Sequence, residues 1–249
     1  MPRFFIPAAQ ITASYAALTG AEFHHLSHVL RLTVGDNLTL CDELGKDHHG
    51  TIISLSATKA EISLTASVLP VSPDFFLTLA LGVLKGQKMD LVIEKATELG
   101  VQRIVPFFSA LTVAQLPADR RSERVARWQR LAQSAAKQSG NPVPQITSPQ
   151  SFADLLAATP DGVGKVLFYE KERALTLKAF AQRHPIFSSL CVVVGPEGGF
   201  AAGEIEQART AGFHIVSLGT HTLRAETAGI IAAALCRCLW EEREIPPLP

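Results

Sequence analysis

The feature that most constrains the fold is a rhythm that begins near residue 77, where short apolar runs alternate with segments of helical spacing. Residues 77–84 form the first run. Residues 89–99 follow with apolar side chains three and four positions apart, up to Gly100, a residue type that commonly ends helices. The alternation continues in strand candidates at 101–108, 165–169, 190–194 and 214–218 and in helix candidates at 204–211 and 226–240. Strands that alternate with helices predict an α/β domain with a largely parallel sheet.

The first 70 residues follow a different pattern. Residues 50–55 and 60–64 alternate polar and apolar side chains, which is typical of half-buried strands. Pro70 and Pro73 then interrupt the chain. We therefore expect a small β-barrel domain over residues 1–70 and an α/β domain over residues 74–249.

Composition limits the class of protein. Apolar residues make up 47% and charged residues 18%, which is enough apolar surface to build a core and excludes a disordered chain. No apolar stretch approaches the roughly 20 residues that cross a bilayer, and the N-terminus lacks the apolar run of a secretory signal. The cysteines at 41, 191, 236 and 238 form no regular framework, which is typical of free thiols in a reducing compartment. We expect a soluble, cytoplasmic protein.

Positive charge is concentrated in the middle of the chain, although the 23 Lys+Arg and 23 Asp+Glu residues sum to zero. Residues 85–145 carry ten Lys/Arg and five Asp/Glu, a net of +5. Within them, residues 119–130 are predicted to begin a helix with Arg120, Arg124 and Arg127 on one face. This face is either a solvated helix surface or one that follows phosphates, because clustered Lys and Arg side chains are typical of nucleic-acid binding.

Two predicted strands end in loops that suit a ligand. The apolar run at 192–194 leads into GPEGGF at 195–200, in which three glycines surround one carboxylate ahead of a helix. A tight connection alone would need fewer glycines, so this pattern favours a loop whose backbone approaches a ligand. The strand at 214–218 ends in Gly219, and Arg224 and Glu226 follow before the last helix. Ligands of α/β proteins bind at the carboxyl ends of strands, although Arg224 and Glu226 also fit a simple ion pair at a helix start.

Several common sites are missing from the sequence. It contains no G-x-G-x-x-G after a strand, no G-x-x-x-x-G-K-[ST] and no G-x-S-x-G. His24, His25 and His28 have a helical spacing that could ligate a metal, but no carboxylate or cysteine completes a set of ligands with them. We expect no metal ion.

Four motifs, in order along the chain, resemble the RsmE family of bacterial small-subunit ribosomal RNA methyltransferases, members of the SPOUT superfamily. They are HLSHVLRL at 25–32 with GD at 35–36, KGQKMD at 85–90 with EKATELGV at 94–101, GPEGGF at 195–200, and LRAETA at 223–228. Any one of them alone would be weak evidence. Together they are specific, and the resemblance covers nearly the whole chain.

The resemblance implies an N-terminal PUA-like β-barrel that binds RNA and a C-terminal α/β domain with a trefoil knot, acting as a homodimer. It implies S-adenosyl-L-methionine as methyl donor and N3 of one uridine in the 16S rRNA of the assembled small ribosomal subunit as acceptor. A knotted site holds its cofactor bent, which fits the missing G-x-G-x-x-G. The cofactor-binding residues that it implies are Leu167, Glu170, Val194, Gly195, Pro196, Glu197, Gly198, Gly199, Leu218, Gly219, Leu223 and Thr227.

Methylation at N3 of uracil requires the loss of a proton, since N3 is protonated at neutral pH. Either a base takes this proton or a cation stabilises the developing anionic ring. We expect Arg224 to contact a ring oxygen or a phosphate, and Glu226 or Glu197 to accept the proton. The cations expected to contact RNA are Arg31, Lys85, Lys88, Arg120, Arg124, Arg127 and Lys137.

The chain departs from the family pattern at three positions where an Arg is usual, namely Leu111, Asn141 and His221. Each change removes a fixed positive charge and weakens a phosphate or bidentate contact. A fourth departure is structural. Ala201 stands where the family usually has Ser or Thr, so the helix that follows lacks the hydroxyl of a capping box, although Glu204 is present.

Two alternatives remain open. A SPOUT enzyme with another RNA target, such as a ribose 2′-hydroxyl or a tRNA base, would explain the lost charges. A non-catalytic RNA-binding protein of ribosome assembly would keep the fold without the activity. The presence of both loops, at 195–199 and 223–228, argues against the second alternative.

Overall fold

The computed structural model describes residues 1–42, 46–68, 75–114, 116–184 and 186–241. The chain divides into two compact units, Met1–Pro73 with Ala136–Val143, and Asp74–Ala135 with Pro144–Pro249. The domain boundary predicted between residues 70 and 74 lies outside the described residues. No helix among the described residues is long and apolar enough to cross a membrane.

The first unit is built around a five-stranded sheet. Its strands are β1 (Arg3–Phe5), β2 (Tyr15–Thr19), β3 (Asn37–Cys41), β4 (Asp47–Leu55) and β5 (Lys59–Val68). They lie in the order β1-β3-β4-β5-β2, in which β1 is parallel to β3 and the other neighbours are antiparallel. Helix α1 (Gly20–His24) continues as a π-helical turn over His25–Val29, and Phe23 and Leu26 bury their side chains in the core of this unit.

The second unit contains a seven-stranded sheet in which every neighbouring pair is parallel. Its strands are β6 (Phe76–Gly82), β7 (Arg103–Phe108), β8 (Gln145–Ile146), β9 (Gln150–Ser151), β10 (Gly164–Phe168), β11 (Ser189–Val194) and β12 (His214–Val216). The order is β12-β10-β11-β6-β7-β8, and β9 also pairs with β7. The α/β class with a parallel sheet is therefore confirmed.

Helices cover both faces of this sheet. They are α2 (Lys88–Glu98), α3 (Arg121–Ser139), α4 (Phe152–Ala158), α5 (Leu177–Arg183), α6 (Ala202–Thr210) and α7 (Ala225–Trp240). Helices α4 and α6 share one core cluster with Ala80 of β6. Leu81, the next residue, lies close to Gly229 of α7. Because successive side chains of a strand point to opposite faces, α7 packs on the other face, where it also contacts α2.

The sequence pattern does not predict the two shortest helices of this unit, α4 and α5. Each has seven residues, too few for a periodic apolar pattern to stand out. Each nevertheless begins with a side-chain cap. The Ser151 hydroxyl accepts a hydrogen bond from the Asp154 N–H at 3.1 Å, and the Thr176 hydroxyl accepts one from the Ala179 N–H at 3.2 Å. These hydroxyl residues were the available signal.

Candidate active site

A cavity of about 460 Å³ lies where β10, β11 and β12 end at their carboxyl ends. Its size falls within the range of small-molecule sites. The loops that follow the three strands form its wall together with the first turn of α7 and Lys88 of α2. The lining residues are Lys88, Phe168, Tyr169, Glu170, Val194, Gly195, Pro196, Glu197, Gly198, Gly199, Phe200, Ser217, Leu218, Gly219, His221, Thr222, Leu223, Arg224, Ala225, Glu226 and Ala228.

The loop at 195–199 owes part of its glycine content to packing within the protein. A Cβ on Gly198 would lie 2.4 Å from the carbonyl oxygen of Leu111, so no other residue fits there without moving backbone. Gly199 has a φ of +70°, in the left-handed region that favours glycine. The loop at 195–199 is therefore a tight connection between a strand and a helix, and it also lines the cavity, so the two interpretations of its glycines are compatible.

Glu197 is held by donors from the start of α2. Its Oε1 accepts a hydrogen bond from the Lys85 N–H at 3.1 Å and another from Lys88 Nζ at 3.2 Å. Burial favours the neutral acid. Hydrogen bonds from the backbone N–H groups of Glu197 and Lys85, together with Lys88, outweigh burial and hold the pKa of this carboxyl below its ordinary value.

Glu226 has a different environment. It lies in the first turn of α7 and is 9% exposed. Its Oε2 is buried and has no hydrogen-bond donor in reach among the described residues, and Lys88 Nζ lies 3.6 Å away. Arg224 precedes the helix and is exposed. The structure shows no ion pair between Arg224 and Glu226 in the part of the chain that it describes.

The charged groups of the cavity suit a cationic ligand. Three carboxylates line it, those of Glu170, Glu197 and Glu226, against the two cations Lys88 and Arg224. The difference of one negative charge favours a positively charged group inside the cavity. Apolar side chains such as Leu218 and Leu223 supply the rest of the wall.

Ten of the twelve residues expected to bind the cofactor line this cavity, and two do not. Leu167 lies in β10 and is fully buried in the core between strand and helices, so its side chain is not at the surface of the cavity. Thr227 is exposed in the first turn of α7 and is absent from the cavity wall. The wall also contains Phe200, Ser217 and Ala228, which were not among the residues expected to bind the cofactor, although Phe200 and Ala228 end two of the motifs and Ser217 follows β12.

The cations expected to contact RNA have diverse environments. Lys88 lines the cavity, and Arg127 forms an ion pair with Asp90 at 2.7 Å. Lys137 forms an ion pair with Glu22 within the first unit. The others are Arg31, which lies in the first unit with a φ of +55°, and Lys85, Arg120 and Arg124, which lie in the second. Arg127 is thus engaged within the protein, because its neighbour on α2 is a carboxylate.

Two of the three positions that lack an Arg adjoin the cavity. His221 is part of its wall, and the backbone of Leu111 contacts the loop at Gly198. Asn141 belongs to the first unit. Among the described residues, no group of three or more His, Cys, Asp or Glu side chains has the arrangement of a metal site.

Comparisons with known proteins agree with this geometry. Residues 72–237 match the model of an RNA methyltransferase domain, and residues 18–65 match that of an RNA methyltransferase PUA domain. The chain is 31% identical over 245 residues to ribosomal RNA small subunit methyltransferase E of Bacillus subtilis, covering 93% of this chain and 94% of that protein. The chain is also 31% identical over 242 residues to ribosomal RNA small subunit methyltransferase E of Synechocystis, covering 96% of this chain and 78% of that protein.

A solved structure extends the likeness to three dimensions. The ribosomal RNA small subunit methyltransferase E of Neisseria gonorrhoeae, bound to S-adenosyl methionine, superimposes with a TM-score of 0.83 at 33% identity, covering 96% of this chain and 98% of that one. The family inferred from the four motifs and the PUA-like character of the N-terminal domain are confirmed. The chain belongs to the ribosomal RNA small subunit methyltransferase E family.

Proposed function

We propose that this protein methylates N3 of one uridine in the 16S rRNA of the assembled small ribosomal subunit, with S-adenosyl-L-methionine as methyl donor. The observation that carries the proposal is the cavity, because ten residues expected from the family motifs meet there. Membership of the family supports the ribosomal RNA as substrate.

The cavity fits this cofactor. Its net charge of minus one, from three carboxylates and two cations, complements a sulfonium, and its apolar walls suit an adenosine group. Glu170, Leu218 and Leu223 would hold the cofactor together with the loop at 195–199. When bound, S-adenosyl-L-methionine supplies a methyl group on a positively charged sulfur, a good leaving group that needs no metal.

The protein contributes positioning and a proton acceptor. Arg224 is exposed at the rim and has a guanidinium that can contact a uracil oxygen or a phosphate. Glu226 or Glu197 accepts the N3 proton. Of the cations expected to contact RNA, Lys85, Arg120 and Arg124 would neutralise RNA phosphates from the second unit, and Arg31 would do so from the PUA domain.

The finer features of the family complete the proposal. The protein acts in the cytoplasm as a homodimer, and its α/β domain contains a trefoil knot. Helix α7 supports the dimer, since Ile231, Leu235 and Leu239 are four residues apart and 38 to 40% exposed on one side of it.

A second candidate is a methyltransferase of this family with a different RNA target. Leu111 and His221 favour it, because two cations of the family pattern are missing beside the cavity. Such a change would alter the RNA that is chosen and leave cofactor binding intact.

Methyl transfer to undermethylated small subunits, to naked 16S rRNA and to tRNA tests both candidates. The RNA is digested and its methylated nucleosides are identified. We expect 3-methyluridine from assembled subunits only. Another methylated nucleoside, or label in tRNA, would support the second candidate. No label in any RNA, together with bound S-adenosylhomocysteine, would indicate a non-catalytic protein.

A further inference from the structure

We propose that Glu226, and not Glu197, accepts the N3 proton, and that Lys88 is the positioning residue that holds the Glu226 carboxylate in place beside Glu197. This inference rests on the proposed function. It assigns separate roles to two carboxylates that line one cavity and share one ammonium group.

Glu197 holds the loop at 195–199 against the start of α2. The same oxygen, Oε1, accepts hydrogen bonds from the Lys85 N–H and from Lys88 Nζ. Protonation of Glu197 would break charge-assisted hydrogen bonds between the loop at 195–199 and the start of α2. A carboxyl group whose pKa lies below its ordinary value is also a weaker base.

Glu226 has the opposite character. Its Oε2 is buried beside the cavity and accepts no hydrogen bond from the described residues, because the Lys88 ammonium lies 3.6 Å away, beyond hydrogen-bond distance. A buried polar atom without a hydrogen bond destabilises a protein, so a ligand that supplies a donor to it gains binding energy. The lone pairs of this oxygen are available to an N–H donor that enters the cavity, and the N3–H of uracil is such a donor.

The reaction balances with Glu226 as acceptor. The N3–H proton passes to Glu226 Oε2, the N3 electron pair forms the bond to the methyl carbon, and the electron pair of the broken carbon–sulfur bond stays on sulfur. The carboxylate and the sulfonium lose their charges together. When Glu226 is protonated, Lys88 keeps its ion pair with Glu197 at 3.2 Å, so the ammonium is not left without a carboxylate partner. Water then takes the proton from Glu226.

Lys88 acts through its charge. Its ammonium lies 3.6 Å from Glu226 Oε2 and 3.2 Å from Glu197 Oε1, so it attracts both carboxylates and holds them side by side. The other charged or titratable groups that line the cavity are Tyr169, Glu170, Glu197, His221 and Arg224. Of the two cations, only Lys88 forms an ion pair with Glu226 in the part of the chain that the structure describes.

Four single variants of the full-length protein test the inference: E226Q, E197Q, K88M and K88R. The readouts are kcat and KM for 3-methyluridine formation, the pH profile of kcat/KM, calorimetric affinity for S-adenosylhomocysteine, and the melting temperature without cofactor. We expect E226Q to lose about 100- to 10,000-fold in kcat, the range of a lost general base. Its melting temperature should stay close to that of the wild type, because the amide removes a buried charge that accepts no hydrogen bond at Oε2, and the ion pair that is lost is with the partly exposed Lys88.

The other variants serve as matched comparisons. E197Q should melt roughly 2–4 °C lower because it weakens charged hydrogen bonds, and its main kinetic effect should be a higher cofactor KM. K88M should lower kcat by roughly 10- to 100-fold because Glu226 loses the ion pair that positions it, and K88R should restore most of that loss.

The outcomes separate this inference from the proposed function. Wild-type protein that makes 3-methyluridine, with E226Q within threefold of it in kcat, would overturn the role of Glu226 alone. Equal losses of kcat in E226Q and E197Q would overturn the choice between them. An unchanged kcat in K88M, or a loss of kcat that K88R does not restore, would overturn the role of Lys88. Wild-type protein that methylates no RNA would refute both the proposed function and this inference.

Discussion

Replacement of Ala201 by serine should stabilise the protein, because helix α6 begins with half of a capping box. The Glu204 carboxylate accepts a hydrogen bond from the Ala201 N–H at 2.9 Å and another from the Ala110 N–H at 2.8 Å. The reciprocal bond is missing, since alanine has no side-chain acceptor. Ala201 already has the extended backbone of an N-cap residue, with φ −68° and ψ 152°, so serine needs no rearrangement.

The magnitude follows from these contacts. A serine at an N-cap stabilises by about 0.5–2 kcal/mol relative to alanine. The Glu204 N–H already reaches the Ala201 carbonyl at 3.0 Å, so part of the benefit is present and we expect about 1 kcal/mol. For a protein of this size, that raises the melting temperature by roughly 2–4 °C.

Thermal and denaturant unfolding of the Ala201→Ser variant check this value, with methyl transfer as a control that should not change. The matched variant is Ser151→Ala, which removes the working cap of α4 and should lower stability by a similar amount. The reasoning would be refuted if Ser151→Ala lowered the melting temperature while Ala201→Ser left it unchanged.

Three further predictions concern the site and the core. Arg224→Ala should lower kcat/KM for RNA at least tenfold while S-adenosylhomocysteine still raises the melting temperature, and an unchanged rate would contradict the role of Arg224. Gly198→Ala should destabilise the protein and weaken cofactor binding, because its Cβ would lie 2.4 Å from the Leu111 carbonyl, whereas Gly203→Ala in α6 meets no atom within 4 Å and should stabilise by about 0.5–1 kcal/mol. Burial, and then the charge of His184, lower the pKa of His214 below 6.5, so the unfolded chain binds more protons and stability falls as the pH drops below 6.5. A His214→Gln variant should show a smaller loss of stability between pH 7 and about pH 5 in denaturant titrations, and an identical loss would argue against this cause.

Five of the seven strands of the α/β unit could be predicted because each is a short apolar run, and β6, β11 and β12 also end at or near a glycine. The strands β8 and β9 have two residues each, too few to show a pattern. The partners of individual side chains could not be predicted. Periodicity placed Arg127 on one face with Arg120 and Arg124, but the ion pair with Asp90 depends on how α3 packs against α2. Helical spacing carries no information about that neighbour.

The same limit applies inside the candidate site. The positive charge of Lys88 predicts a contact with RNA. In the structure its side chain lines the cavity, because α2 begins beside the loop that follows β11. Leu167 was assigned to the cofactor by its position in a motif, although a residue in the middle of a central parallel strand is buried on either face. Both depend on the order of strands in the sheet, which the sequence does not specify.

The close approach of Gly198 to residue 111 has a consequence for how this protein can evolve. The contact is made by the carbonyl oxygen and Cβ of Leu111, atoms that any residue other than glycine would supply. Selection on the rest of that side chain is therefore independent of the loop that lines the cavity. A lineage can therefore replace arginine by leucine at position 111 without changing the atoms that this loop packs against.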